Sequence, residues 1–80
     1  MMKLQVLGMG CPKCNRLYAA VEAAAKELGL AYEMEKIDDI GRIAEMGVLM
    51  TPALAINGKV RFSARIPANE ELKKIIAEAK

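Results

Sequence analysis

The sequence predicts an α/β fold, a mixed four-stranded sheet with helices on both faces, in the order β-α-β-α-β-β-α. Three observations predict it. Two short extended runs flank a long helical pattern between Pro12 and Leu28, and a helical crossover of that kind joins parallel neighbours with a right-handed connection. An Asn57-Gly58 pair then separates two further extended runs, the sign of a tight antiparallel hairpin with a type I′ turn. An amphipathic pattern closes the chain between Glu70 and Ala79. At 80 residues there is room for one domain, residues 1–80, and the 54% hydrophobic content is enough to build its core.

Each element has a local reason. Leu4 to Leu7 is an apolar run ended by Gly8, and the two glycines flanking Met9 predict a tight backbone turn. Leu17, Tyr18, Val21, Ala24, Ala25 and Leu28 recur at helical spacing in an alanine-rich segment. Pro12 suits the first helical position, where its missing N–H costs nothing, and Gly29 suits the left-handed residue beyond the end. Cys11 then falls at or near the N-cap. From Leu30 to Ile37, Tyr32 and Met34 alternate with Glu33 and Glu35, a strand period. Asp38 and Asp39 offer an N-cap to a short helix carrying Ile40, Ile43 and Ala44 and running to about Gly47, with Gly41 an unfavourable interior residue. Val48-Leu49-Met50 leads to Thr51-Pro52, where the proline favours extended geometry before it. Ala53 to Ile56 and Lys59 to Phe62 form the hairpin, and Ser63 to Ala68 a loop. Asn69 is placed to cap the last helix, whose apolar face is Leu72, Ile75, Ile76 and Ala79.

Composition removes several function classes. The 12 basic and 10 acidic residues are interspersed, and aromatic residues are few, so nothing resembles a nucleic-acid surface. Histidine is absent, which removes the usual acid/base catalyst. Two cysteines cannot complete a tetrahedral zinc site from His and Cys alone, and no metal is assigned. The N-terminal run is interrupted by Gln5 and lacks a small-residue cleavage site. We therefore expect no signal peptide, no membrane span and a cytoplasmic protein. A lone cysteine pair there is more often catalytic or metal-binding than a structural staple.

Both cysteines lie in Gly8-Met9-Gly10-Cys11-Pro12-Lys13-Cys14. The thiolate is the reactive form, and a free cysteine has a pKa of about 8.5. Unpaired backbone N–H groups at a helix N-terminus favour the anion, and the Lys13 ammonium adds to that effect. Cys11 is thus expected to attack a substrate disulfide. Cys14, three residues on, is expected to be less exposed and to resolve the mixed disulfide from inside. Pro12 and Lys13 tune the motif, although Pro12 also serves helix initiation and Lys13 is also a plain surface residue.

Cys11-Pro12-Lys13-Cys14 after the first strand, Thr51-Pro52 before the third, the Asn57-Gly58 hairpin and the closing helix resemble the small thioredoxin-like proteins of archaea and bacteria. These are nearer glutaredoxin in size than full thioredoxin, and the group includes short redox-active disulfide proteins. The resemblance covers essentially the whole chain and implies a minimal thioredoxin-like fold and thiol-disulfide oxidoreductase activity. It further implies that Pro52 follows a cis peptide bond and faces the cysteines, while the backbone of Thr51 pairs with an extended substrate. X-Pro is the one bond type that readily becomes cis. The implied partners are protein or small-molecule disulfides and a thiol or flavoprotein reductant. No cofactor is expected beyond a reversible Cys11–Cys14 disulfide, and a monomer is expected. The chain departs from thioredoxins proper, which usually have Trp before the first cysteine, Gly-Pro between the two, and a buried acid on the preceding strand. Here Gly10 precedes, Pro-Lys intervenes, and Leu4 to Leu7 holds no carboxylate.

An alternative comes from the same loop, which also resembles the Gly-Met-x-Cys-x-x-Cys loop of copper chaperones, where two thiolates hold Cu(I). Those domains end on a strand and have no equivalent of Thr51-Pro52. This chain is expected to end on a helix.

Overall fold

Turn chemistry and apolar periodicity resolve into seven elements in the predicted order. The computed structural model describes residues 2–8 and 12–79. They form β1 (Met2–Leu7), α1 (Pro12–Leu28), β2 (Tyr32–Ile37), α2 (Ile40–Glu45), β3 (Ala53–Ile56), β4 (Lys59–Ser63) and α3 (Asn69–Glu78). The sheet order is β2-β1-β3-β4. β1 runs parallel to β2, while β1 with β3 and β3 with β4 are antiparallel. This is a minimal thioredoxin-like fold.

The sheet alternates its side chains between two cores, as a pleated strand must. Leu4, Val6, Leu54 and Ile56 face one way and pack with Leu17, Val21, Ala24 and Ala25 of α1 and with Leu72 and Ile76 of α3. Leu7, Ala53 and Ala55 face the other way, packing with Ile37, Ile43 and Val48 beneath the short α2. Lys3 lies in register with Glu33, and Gln5 with Glu35 on one side and Ala55 on the other. Gln5 is the one buried polar side chain among the described residues. Its amide donates to Glu35 Oε1 at 2.9 Å and its carbonyl accepts from Gly58 N–H at 2.8 Å, so both polar ends are satisfied.

The helix ends follow their chemistry. α1 starts on Pro12 and stops at Gly29, which has φ +67°. Gly29 N–H donates to Lys26 O and Leu30 N–H to Ala25 O, the paired bonds of a Schellman end. Asp39 caps α2, its Oδ1 accepting from Gly41 N–H at 2.8 Å and Arg42 N–H at 3.4 Å. Gly41, unfavourable by propensity, has a reason. A Cβ there would lie 3.1 Å from that same Oδ1. Asn57 and Gly58 both have positive φ, 53° and 86°, as a type I′ turn requires.

One expectation is corrected. Asn69 does not cap α3; the N-cap is Ala68, which has no side chain able to bond the helix amides. Asn69 is the first helical residue and its Nδ2 donates to Glu27 Oε2 on α1 at 3.1 Å. The contact between α1 and α3 competes for the amide, and the cap is left without its usual hydrogen bond.

Candidate active site

The C-terminal end of β1 delivers the chain to α1, and that junction holds the cysteine motif. Met9, Gly10 and Cys11 lie outside the described residues. Gly8 and Pro12 onward are described. Gly8 N–H donates to Ile37 O at 2.9 Å, extending the β1–β2 ladder by one bond. Its own backbone is not in the left-handed region, and the turn expected through Met9 and Gly10 lies outside the described residues. Space selects glycine at position 8. A Cβ on Gly8 would overlap Cys14 Sγ and come within 2.7 Å of Cys14 Cβ.

Cys14 sits in the first turn of α1 with 0% exposure. Pro12 and Lys13 are exposed beside it. A thiol so covered meets bulk solvent poorly and exchanges most easily with a sulfur already seated against it. That is the demand placed on a resolving group.

Thr51 and Pro52 come to the same end of the molecule. The Thr51–Pro52 peptide is cis, as expected. Pro52 is buried and Thr51 half-buried, and Pro52 O accepts from Ala64 N–H at 2.8 Å. Ala64 has φ 64° and turns the chain after β4 so that Arg65 and Ile66 stand over the proline. A groove of about 260 Å³ results. Among the described residues it is lined by Lys13, by Met50, Thr51 and Pro52, and by Ala64, Arg65 and Ile66. Lys13 of the motif and the cis proline thus share one groove, although Lys13 and Met50 are 37 positions apart in the sequence.

Apolar side chains surround this opening without being covered. Leu49 is 96% exposed, Met50 64% and Ile66 37%. Thr51 also borders a second groove, of about 370 Å³, between α2 and the segment before Pro52. Its walls are Ile40, Ile43, Ala44, Val48 and Leu49. Sequence reasoning did not mark Leu49 or Arg65 as site residues. A short apolar run ending two residues before a proline is the local signal at Leu49, and Arg65 carries none.

Electrostatics set Arg65 apart. Its guanidinium pairs bidentately with Glu71, at 3.2 and 2.6 Å, and its central carbon lies 5.4 Å from the centre of the Phe62 ring. Hydrogen bonding to that guanidinium holds the Glu71 carboxyl below its usual value and raises the arginine. Among the described residues, none forms an ion pair with Lys13.

The described residues contain no group of three or more His, Cys, Asp or Glu side chains arranged around a metal position. A soft ion would need both Cys11 and Cys14, of which Cys14 alone is described. Among the described residues no helix is long and apolar enough to cross a membrane.

Residues 2–77 match the family model described as a thioredoxin domain. The chain belongs to the thioredoxin family. Within it, the chain is similar to a thioredoxin of Methanothermobacter thermautotrophicus, 40% identical over 77 residues that cover 96% of this chain and all of the relative. A thioredoxin of Methanocaldococcus jannaschii is 41% identical over 73 residues, covering 91% of this chain and 84% of the relative. A probable thioredoxin of Methanothermobacter marburgensis is 39% identical over 71 residues, covering 85% and 82%. Thioredoxin-family membership makes thiol-disulfide redox chemistry the general role of the fold here. The closing helix α3 agrees with the thioredoxin order of elements and not with the copper-chaperone order, and nothing in these similarities supports a copper chaperone.

Proposed function

We propose that the chain is a thiol-disulfide oxidoreductase in which Cys11 attacks and Cys14 resolves. The Cys11 thiolate attacks one sulfur of a substrate disulfide, forming a mixed disulfide and expelling the first substrate sulfur as a thiolate. Cys14 then attacks the Cys11 sulfur. The Cys11–Cys14 bond forms, the second substrate sulfur leaves, and the substrate has gained two electrons and two protons. The proton lost by Cys14 passes to the departing sulfur or to solvent, because the buried polar side chain of β1 is Gln5, an amide that does not titrate in this range. An external dithiol or flavoprotein reductant returns the pair to its reduced form.

The observation that carries this reading is the burial of Cys14 against Gly8 at the start of α1, with cis Pro52 and Lys13 sharing one groove beside it. In this reading Thr51 offers its backbone to an extended substrate segment, Pro52 fixes that backbone, and Pro12 and Lys13 shape the helix start around Cys11. The exposed Leu49 and Met50 favour protein disulfides as substrates over small-molecule disulfides. The protein acts as a monomer in the cytoplasm, where a reducing pool sustains turnover.

Equilibration in glutathione buffers of graded ratio tests the reading. The wild-type chain is expected to titrate as one reversible two-electron couple, and Cys11→Ser to abolish it. A pair that stays unreactive across all buffers would end the proposal.

A further inference from the structure

Among the described residues, the groove beside Pro52 is lined by two cations and no carboxylate, and the two cations are not equivalent. Arg65 is held by both oxygens of Glu71 and lies against Phe62, so its charge is largely compensated before any substrate arrives. Lys13 has no ion-pair partner among the described residues and is exposed. Met50, Pro52 and Ile66 give the same groove apolar lining. A polypeptide laid along such a groove gains from an apolar side chain against that lining and from an acidic one beside Lys13.

We propose that Lys13 selects the substrate: the groove takes a protein segment that carries a carboxylate next to its reactive disulfide. This rests on the oxidoreductase reading above and adds the class of substrate to it. Lys13 adjoins Cys14 in the chain, so its replacement will also alter thiol reactivity. That change affects every substrate equally. A ratio of rates between two substrates cancels it.

The experiment uses three synthetic disulfide peptides that share one apolar residue and differ only in Glu, Gln or Lys beside the disulfide. Second-order rates of reduction by the reduced full chain are measured at low and high salt. The wild-type protein is expected to follow the order Glu, Gln, Lys, with each step about three-fold, as suits one partly exposed charge pair. The spread should narrow as salt rises. Lys13→Gln is expected to flatten the ratio and Lys13→Glu to invert it. Glu71→Gln, which releases the Arg65 charge into the groove, should widen it. Equal rates on the three peptides, or a ratio unchanged in Lys13→Gln, would overturn selection by Lys13 while leaving the oxidoreductase reading intact. No reaction with any peptide would instead overturn that reading, and charge selection with it.

Discussion

Gly8 and Cys14 are in such close approach that no side chain fits between them: a Cβ at position 8 would overlap the cysteine sulfur. The end of β1 therefore serves as the seat on which the first turn of α1 rests. Gly8→Ala is expected to push Cys14 outward and to cost about 1–3 kcal/mol, the range for a methyl forced into a packed site. Urea unfolding would measure the loss, and alkylation of Cys14 in a Cys11→Ser background should speed up. An unfolding midpoint and alkylation rate equal to those of the parent would show that the seat yields freely.

Glu35 provides a pH-dependent part of the stability. The hydrogen bond from Gln5 is the largest influence and burial, which opposes it, the next; with the charges of Lys3 and Arg42 at 3.7 and 3.8 Å added, the carboxyl is held below its usual value near 4.5. With the folded value depressed, this contribution is complete above the unfolded value and disappears as pH falls through the folded one. Between pH 7 and pH 3 the wild-type urea midpoint should therefore drop further than that of Glu35→Gln. Parallel pH profiles for the two proteins would remove Glu35 from the account.

Leu49 and Met50 are exposed without support from the core, so Leu49→Ser and Met50→Ser should shift stability by no more than about 0.5 kcal/mol. The same changes should slow exchange with a folded protein disulfide several-fold and leave exchange with a small aromatic disulfide nearly unchanged. Equal slowing on both substrates would point to a structural effect rather than lost docking area.

Ala68 occupies an N-cap with extended geometry, φ −65° and ψ 158°, and makes no side-chain hydrogen bond. Ala68→Ser should add one and raise stability by about 1 kcal/mol. A thermal midpoint at or below that of the wild type would indicate that the amides of α3 are already satisfied.

Much of this architecture was legible because its causes are local. Pro12 and Gly29 bound α1, Asp39 caps α2, and Asn57-Gly58 adopts the one turn its chemistry favours. The cis bond before Pro52 followed from the resemblance of the whole pattern. What escaped depends on contacts between distant segments. Arg65 reaches the groove because Ala64 takes a left-handed conformation, and alanine carries no signal for that. Asn69 has the composition of a cap, yet Glu27 on the neighbouring helix takes its amide. At Gly8 the residue type was informative but ambiguous. A turn and a close approach both call for glycine, and only the docking of α1 shows the close approach.

The division of labour between the two cysteines is the central claim, and trapping tests it most directly. Cys14→Ser and Cys11→Ser proteins would each be reacted with a folded disulfide substrate and the covalent adducts mapped by mass spectrometry. Cys14→Ser is expected to accumulate a mixed disulfide through Cys11, since nothing remains to resolve it, and Cys11→Ser to accumulate none. An adduct through Cys14 in the Cys11→Ser protein, or no adduct in either, would contradict the account.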